Sequence, residues 1–246
     1  MRSVIVTGAG TGIGAATAKL FSKNGYHAFL LGRRKEYLEN VAKECSHSSV
    51  IPCDLTKAED VNNAVSQILL NKKLSIEVLV QNAGIFERHS FAEGSDELWR
   101  NQFETNLFGA VRLTRAIWPY FAEKRKGSVV MVSSTLGMKP AGGMTAYCAT
   151  KAAMISLTQS LAIEGGPLGI RVNCVAPGIV DTPIHSFHSM DSLEKETTLA
   201  QMSSLQPLGR IGTSEEIATS IFFLGSDQSS WTTGSTLAVD GGINLA

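Results

Sequence analysis

The chain has 246 residues, and its 22 lysines and arginines are balanced by 22 aspartates and glutamates, so the formal net charge is zero. A neutral chain offers no electrostatic footprint for nucleic acid or an anionic membrane surface, and we predict neither as a partner. No apolar run approaches the roughly 20 residues of a membrane span, and the first residues lack the layout of a signal peptide. We therefore expect a soluble cytoplasmic protein.

Short apolar, β-branched runs alternate with helical patterns along almost the whole chain. Predicted strands cover residues 3–6, 28–31, 50–53, 78–81, 128–133, 171–175 and 236–239, and predicted helices cover 15–24, 35–45, 58–70, 96–122, 146–164 and 214–224. This alternation is typical of a parallel sheet covered by helices on both faces. Since no linker or repeat interrupts it, we predict a single-domain, Rossmann-type, doubly wound α/β fold over residues 1–246.

A glycine-rich turn separates the first predicted strand from the first predicted helix. Its pattern is Thr7-Gly8-x-x-x-Gly12-x-Gly14, and Gly-x-Gly-x-x-Gly does not fit because position 13 is isoleucine. The N–H groups of a helix N-terminus attract a phosphate, and glycines let that phosphate approach the backbone. The turn could be purely structural, but its place after the first strand favours dinucleotide binding. We expect the contacts to come from Gly8, Thr11, Gly12, Ile13 and Gly14.

The end of the second predicted strand indicates which dinucleotide binds. An acidic residue there would hold the ribose hydroxyls of NAD(H) and repel a 2′-phosphate, but the chain has Gly32-Arg33-Arg34. Guanidinium groups are charge-assisted, bidentate partners for a phosphate. We predict NADP(H) in preference to NAD(H), bound by Arg33 and Arg34. The alternative, that Arg34 only begins a solvated helix, stays open.

Tyr147 and Lys151 stand four residues apart in a predicted helix, so their side chains lie on one face, one turn from each other. An unperturbed phenol has a pKa near ~10 and exchanges protons poorly at neutral pH. An ammonium one turn away should stabilise the phenolate and lower this pKa, which would make Tyr147 a useful general acid or base. Such pairs also arise by chance on many helices, so the remaining motifs decide what this one means.

Residues 183–206 have little strand character and many serines. They could form a substrate lid or a tolerated surface insertion, and a long segment of this kind in a compact fold favours the lid. The segment contains His185 and His188, but two histidines without a third ligand indicate lid surface rather than a metal site. We predict no metal.

Further segments follow in a specific order and spacing. They are Asp54-Leu55 after the third strand, Asn82-Ala83-Gly84 after the fourth, Asn106 in a helix, Ser134 thirteen residues before Tyr147, and Pro177-Gly178-Ile179-Val180-Asp181-Thr182. With the glycine turn and Tyr-x-x-x-Lys, these segments resemble the short-chain dehydrogenase/reductase family from nearly one end of the chain to the other. The family spacing selects Ser134 over its neighbour Ser133 as the catalytic serine.

The resemblance implies a role for each matched residue. Ser134 would hold the substrate oxygen, and Tyr147 would exchange the proton with it. Lys151 would lower the pKa of Tyr147 and bind the nicotinamide ribose, while Asn106 would hold a water that links Lys151 to solvent. The remaining matches would bind the cofactor: Asp54 and Leu55 at the adenine, Asn82, Ala83 and Gly84 along the dinucleotide, and Pro177, Gly178, Ile179 and Thr182 at the nicotinamide.

The function implied is NADP(H)-dependent hydride transfer between the nicotinamide and a ketone or secondary alcohol. The tail segments Pro207-Leu208-Gly209-Arg210 and Asp240-Gly241-Gly242 resemble 3-oxoacyl-carrier-protein reductases, but sugar, steroid and secondary-alcohol dehydrogenases share them. An acyl-carrier partner would need a basic patch, for which Lys124-Arg125-Lys126 is a candidate. A homotetramer or homodimer is also implied. The alternative from another class is a non-catalytic, NADP(H)-sensing scaffold.

Overall fold

Seven parallel strands form the centre of the protein. The structure, a computed structural model, describes residues 1–185 and 191–246. The strands are β1 (Arg2–Thr7), β2 (His27–Gly32), β3 (Ser48–Pro52), β4 (Ser75–Gln81), β5 (Gly127–Val132), β6 (Ile170–Pro177) and β7 (Thr236–Val239). They lie in the order β3-β2-β1-β4-β5-β6-β7, and every pairing is parallel. The predicted Rossmann-type α/β fold is confirmed.

The helices follow the predicted pattern with two changes. They are α1 (Gly12–Lys23), α2 (Lys35–Ala42), α3 (Ala58–Leu70), α4 (Asp96–Phe103), α5 (Gly109–Lys124), α6 (Thr145–Gly165), α7 (Ser192–Ser204) and α8 (Ser214–Gly225). The helical material predicted over 96–122 is α4 and α5 joined by a π-helical turn, Glu104–Phe108, and α7 lies where no helix was predicted. Within residues 1–185 and 191–246, no helix has the length and apolar character needed to cross a membrane.

Apolar layers cover both faces of the sheet. Successive residues of β5 point to opposite sides: Val129 belongs to the cluster that contains Phe121 of α5, whereas Val130 belongs to the cluster that contains Phe21 of α1 and Ile221 of α8. All five side chains are fully buried. Burying a side chain of this kind contributes roughly 1.5–3 kcal/mol, which explains why the central strands are continuous apolar runs rather than alternating ones.

The strand order reverses beside β1. The chain runs outward from β1 through β2 to β3, then returns to place β4 on the other side of β1. Connections that leave β1 and β4 in opposite directions open a crevice at the carboxyl ends of these strands, which is where ligands bind in open α/β sheets.

The segment predicted as a lid, 183–206, has more regular structure than its sequence indicates. It contains a 3-10 turn, Pro183–His185, and the helix α7. Asp191 caps α7 because its carboxylate accepts hydrogen bonds from the N–H groups of Leu193 and Glu194. His188 lies outside the described residues.

Candidate active site

A cavity of about 1110 Å³ lies at the carboxyl ends of β1 to β6. Every predicted cofactor-binding residue except Gly14 lines it, and so does the predicted catalytic Ser134. Asn106 and Gly14 stand behind the cavity wall. The structure therefore brings together, in one space, residues that are more than 170 positions apart in the sequence.

The glycine turn is a close contact between β1, α1 and the loop after β4. Gly8 has a φ of 63°, which favours glycine, and a Cβ there would lie 2.9 Å from the Asn82 Nδ2. A Cβ at Gly14 would lie 2.2 Å from the Gly8 carbonyl oxygen, so only glycine lets α1 start so close to the turn. Gly14 therefore acts by packing rather than by lining the cavity.

Thr7 and Asn82 fasten the loop after β4 to the glycine turn. The Thr7 hydroxyl accepts hydrogen bonds from the N–H groups of Asn82 and Ala83 at 2.9 and 3.0 Å, and it donates to the Val80 carbonyl. The Asn82 amide in turn donates to the Thr7 carbonyl at 3.0 Å. This reciprocal pairing gives Asn82 a structural task at the cavity floor beside its predicted cofactor contact.

Two arginines and one aspartate stand at the other end of the cavity. Within the described parts of the chain, neither Arg33 nor Arg34 forms a short ion pair. Burial alone would raise the pKa of Asp54, but hydrogen bonds from Thr56 and the charge of Arg33 outweigh burial and lower it. The Thr56 N–H and hydroxyl both reach the Asp54 Oδ1. This end of the cavity thus offers two guanidiniums and one ionised carboxylate.

The two serines that follow β5 have different partners. The Ser133 hydroxyl donates to the Lys151 carbonyl at 2.7 Å and holds helix α6 against the strand. The Ser134 hydroxyl accepts from the Leu136 N–H at 3.2 Å, and the Ser134 side chain lowers the pKa of Tyr147, which shows that the two groups are close. Ser133 thus fastens α6 to the strand, whereas Ser134 lies beside the Tyr147 phenol.

Tyr147 and Lys151 are both buried in the cavity wall. Burial raises the pKa of Tyr147 to about 12, and the hydrogen bond with Ser134 only partly offsets this effect. Burial lowers the pKa of Lys151 to about 8. The Lys151 Nζ donates to the Val132 carbonyl at 2.9 Å and lies 5.5 Å from the centroid of the Tyr147 ring.

The expected lowering of the Tyr147 pKa by Lys151 is therefore wrong for the protein groups alone. The ammonium is directed to a carbonyl rather than to the phenol oxygen, and burial weakens its tendency to carry charge. Desolvation of the phenolate then dominates, and Tyr147 is a protonated phenol at neutral pH. A group in this state is suited to donate a proton.

Asn106 lies in the π-helical turn between α4 and α5. Its Oδ1 accepts from the Ile85 N–H at 2.7 Å, and its Nδ2 donates to the Ile85 carbonyl and the Thr150 hydroxyl. π-helical turns are rare and are frequent at functional sites. Here the turn brings a fully buried amide between the loop after β4 and helix α6. The absent side chain of Gly84 leaves a space beside this amide: a Cβ there would lie 3.3 Å from the Asn106 Oδ1 and 3.6 Å from the Lys151 Nζ.

The segment after β6 closes the cavity near the glycine turn. Thr182 is buried, and a Cβ added at Gly12 would lie 3.2 Å from its Cγ2. The Ile179 carbonyl accepts from the Gly212 N–H at 2.9 Å, which fixes this loop against the start of α8. Thr182 thus lies beside the first turn of α1, and Ile179 lines the same cavity.

Sequence reasoning assigned residues 183–206 to a lid over the cavity, but it did not predict the helix in this segment, and it missed Phe86. Phe86 packs edge-on against Tyr147, with ring centroids 5.0 Å apart, and helix α7 contributes a row of side chains: Thr198, Gln201, Met202 and Leu205. Their spacing of three, four and seven residues is the pattern of one helix face. That pattern was the available signal, but serine-rich composition obscured it. Tyr37 of α2 was missed as well, at the arginine end.

The basic run 124–126 lies on the wrong side of the molecule for a patch at the cavity entrance. It precedes β5, so it stands at the amino ends of the strands, and a strand of six residues spans roughly 20 Å. Lys124 pairs with Glu123 and Lys126 pairs with Glu77. The suggestion that this run receives an acyl-carrier protein at the entrance is therefore wrong.

Among residues 1–185 and 191–246, no three or more His, Cys, Asp or Glu side chains are placed to hold a metal ion together.

Known proteins resemble this chain along its whole length. The family model described as Enoyl-(Acyl carrier protein) reductase matches residues 8–244. The 3-oxoacyl-[acyl-carrier-protein] reductase FabG of Thermotoga maritima is 36% identical over 243 residues, which cover 97% of this chain and 96% of that protein. The solved structure of ElxO with NADP bound is 29% identical, with a TM-score of 0.91, and covers 100% of this chain and 99% of ElxO. The aldohexose dehydrogenase AldT of Thermoplasma acidophilum is 32% identical, with a TM-score of 0.91, and covers 100% of this chain and 94% of AldT.

Proposed function

Because the chain belongs to the short-chain dehydrogenase/reductase family, we propose that it is an NADP(H)-dependent oxidoreductase acting on a ketone or secondary alcohol, with reduction of a carbonyl or 3-oxoacyl group as its main reaction. One observation carries this proposal. Ser134, Tyr147 and Lys151 line the same cavity as two arginines that form no short ion pair within the described chain. One end of the cavity thus offers proton chemistry, and the other offers phosphate recognition.

The residues present fit a phosphorylated dinucleotide. Positive φ angles at Gly8 and Gly12 hold the turn in a shape that leaves the start of α1 open to a phosphate. Arg33 and Arg34 would take the 2′-phosphate, and the second carboxylate oxygen of Asp54 would take the adenine amine. Leu55, Asn82, Ala83 and Gly84 would line its path, with Pro177, Gly178, Ile179 and Thr182 at the nicotinamide. When bound, the cofactor supplies or accepts the hydride.

Tyr147 would manage the proton. As a phenol of raised pKa it is protonated at neutral pH and would donate from its Oη to the oxygen of the reduced carbonyl. The Ser134 hydroxyl would hold that oxygen beside the phenol. In the oxidative direction the same two groups would remove the proton. At neutral pH the phenol already has the protonation state that the reductive direction uses.

Lys151 and Asn106 would support this transfer. The charged Lys151 would stabilise the phenolate that forms as the proton leaves, and it would also bind the nicotinamide ribose. The space beside Gly84 adjoins both the Lys151 Nζ and the Asn106 Oδ1. A water held there would return a proton from solvent. Asn106 would then both fasten the loop after β4 and hold this water.

Turnover rates distinguish the possible substrates from one another, and they distinguish an enzyme from a non-catalytic scaffold. The name of the Thermotoga relative supports a 3-oxoacyl substrate for this chain, whereas the name of AldT supports a sugar substrate. Oxidation of a steroid or a secondary alcohol is the third possibility within the family. The wall formed by Phe86, Met202 and Leu205 is largely apolar and supports the first reading. A non-catalytic NADP(H)-sensing scaffold would be expected to lack part of the Ser-Tyr-Lys set, which is complete here.

The test is a substrate panel with each cofactor. Initial rates would be measured for acetoacetyl and longer 3-oxoacyl thioesters, simple ketones, aldohexoses and a steroid ketone, with NADPH and with NADH. We expect the highest kcat/KM for a 3-oxoacyl or ketone substrate with NADPH. A higher kcat/KM with NADH would overturn the cofactor assignment, and a higher kcat/KM for an aldohexose would overturn the substrate assignment. NADPH binding without turnover of any compound would favour the scaffold.

The remaining parts of the proposal concern the whole chain. It would act in the cytoplasm as one domain, with residues from about 183 to 206 serving as the substrate lid. It would assemble as a homotetramer or homodimer through α5, α6 and the C-terminal segment. Exposed apolar side chains such as Ile163 on α6 and Trp231 before β7 support self-association, which light scattering measures directly.

A further inference from the structure

Arg34 and Tyr37 form a stacked pair at the arginine end of the cavity. The guanidinium carbon of Arg34 lies 3.9 Å from the centroid of the Tyr37 ring, well within the range of a cation–π contact. Both side chains line the cavity, and the Tyr37 ring is partly exposed. Arg33 has a different neighbour, since its charge acts on the carboxyl of Asp54. Arg34 therefore stacks on a ring, whereas Arg33 forms no short ion pair within the described chain.

Local structure puts the ring beneath the guanidinium. Arg34 is the residue that precedes α2, and Tyr37 lies in the first turn of that helix, three positions further on. Residues three apart on a helix turn lie on one face. Gly10 makes room for the ring, because a Cβ at Gly10 would lie 3.0 Å from the Tyr37 Cβ. The pair thus stands directly beside the glycine turn.

Stacking has a consequence for recognition. A free arginine side chain samples many rotamers, and ordering it on a ligand opposes binding. A guanidinium that lies flat on a ring keeps its edge N–H groups available for a phosphate while its plane is already set. Since the contact uses the ring face, the phenol hydroxyl is not needed for it. That hydroxyl has no hydrogen-bond partner among the residues that the structure describes.

We propose that Tyr37 is a positioning residue that orients Arg34 for the 2′-phosphate of NADP(H), and so contributes to the choice between NADP(H) and NAD(H). This inference rests on the proposed NADP(H) function. It goes beyond that function by assigning a specificity role to a residue outside the glycine turn, the arginine pair and the catalytic set. NAD(H) lacks the 2′-phosphate, so its binding does not depend on the pair.

The test is a double-mutant cycle with a rescue variant. Tyr37→Ala, Tyr37→Phe, Arg34→Ala and the double variant Tyr37→Ala/Arg34→Ala would be compared with the wild type. For each, kcat and KM would be measured for NADPH and NADH with one ketone substrate, and thermal unfolding would verify folding. We expect Tyr37→Ala to raise the KM for NADPH by about twofold to fivefold, the equivalent of a partly exposed cation–π contact.

The other expected results separate positioning from mere structure. Tyr37→Ala should leave kcat and the KM for NADH unchanged, and Tyr37→Phe should match the wild type. In the Arg34→Ala background, removing the ring should have no further effect on NADPH.

Three results would overturn the inference alone, given a wild type that prefers NADPH. These are an equal rise of KM for both cofactors, a Tyr37→Phe variant as impaired as Tyr37→Ala, and a full Tyr37→Ala effect in the absence of Arg34. A wild type without NADPH preference is a separate outcome, because it refutes the proposed cofactor specificity and the inference together.

Discussion

Burial acts in opposite directions on the two ionisable side chains of α6. It opposes charge on both, so it raises the pKa of Tyr147 to about 12 and lowers that of Lys151 to about 8. The phenol therefore keeps its proton at neutral pH, while the ammonium lies close to the midpoint of its titration. Tyr147 is therefore protonated throughout the neutral range, whereas the charge of Lys151 depends on pH.

Reduction is expected to slow as pH rises through about 8, the pKa of Lys151. Above this pH the lysine loses the charge that, in the proposed mechanism, stabilises the phenolate as the proton leaves, whereas Tyr147 remains protonated before the transfer. The measurement is kcat for ketone reduction by NADPH between pH 6 and 10. Lys151→Arg is the control, because a guanidinium does not titrate in this range and should remove the decline. A wild-type rate that stays constant up to pH 10 would contradict the assignment.

Ser133 and Ser134 should respond differently to replacement by alanine. Ser133→Ala removes a buried hydrogen bond to the Lys151 carbonyl and should lower the free energy of unfolding by about 0.5–1.5 kcal/mol, with most turnover retained. Ser134→Ala removes the group that holds the substrate oxygen and should lower kcat by about 10²-fold or more with little loss of stability.

Chemical denaturation and steady-state kinetics on both serine variants distinguish the two roles. If Ser133→Ala is the inactive variant and Ser134→Ala retains full turnover, the roles are reversed and the family spacing has selected the wrong serine.

At the scale of elements, the site depends on contacts between loops rather than on the strands alone. Thr7 ties the loop after β4 to the glycine turn, and Asn106 ties the same loop to α6. The π-helical turn that carries Asn106 makes this second contact possible, since a regular helix would direct the Asn106 amide elsewhere. The loop after β4 is thus fastened on one side to the glycine turn and on the other to the helix that carries Tyr147 and Lys151.

The closeness of α1 to the glycine turn predicts a large effect at Gly14. A Cβ there would lie 2.2 Å from the Gly8 carbonyl, so Gly14→Ala must displace backbone and should cost at least about 1–3 kcal/mol of stability and weaken NADPH binding. Gly166→Ala is the matched control: no heavy atom lies within 4 Å of an added Cβ, and its φ of −52° suits alanine.

The control variant should be as stable as the wild type or gain about 0.4–1 kcal/mol through the unfolded state. Thermal unfolding and NADPH titration measure both effects. Equal behaviour of the two variants would show that the close approach at Gly14 is unimportant.

Much of the whole molecule follows from local sequence patterns. Alternating apolar runs and helices were sufficient to predict the parallel sheet, and the four-residue spacing put Tyr147 and Lys151 on one helix face, whereas Ser134 was selected through the family resemblance. These features succeed because helix and strand periods relate sequence directly to geometry. The helix division at Glu104–Phe108 was missed because it depends on hydrogen bonds from Asn106 to residues far along the chain.

Properties that depend on burial by distant elements could not be read from the sequence. The pKa shift of Tyr147 was predicted with the wrong sign, because a four-residue spacing shows the neighbouring charge but not the depth of burial or the carbonyl that receives the Lys151 Nζ. The basic run at 124–126 was expected at the cavity entrance but lies at the amino ends of the strands, because composition does not show which end of a strand faces the cavity. The wall formed by α7 depends on the fold placing that helix beside the cavity, which the sequence does not show.

Tyr147 is the proton donor of the proposed mechanism, and the Tyr147→Phe variant tests that role. Phenylalanine keeps the edge-on ring contact with Phe86 and removes only the hydroxyl. Wild type and variant would be compared by kcat for reduction of the best ketone from the substrate panel with NADPH, alongside the Kd for NADPH. We expect kcat to fall by about 10²-fold or more while Kd changes little. A variant that turns over at a near-normal rate would contradict the proposed mechanism.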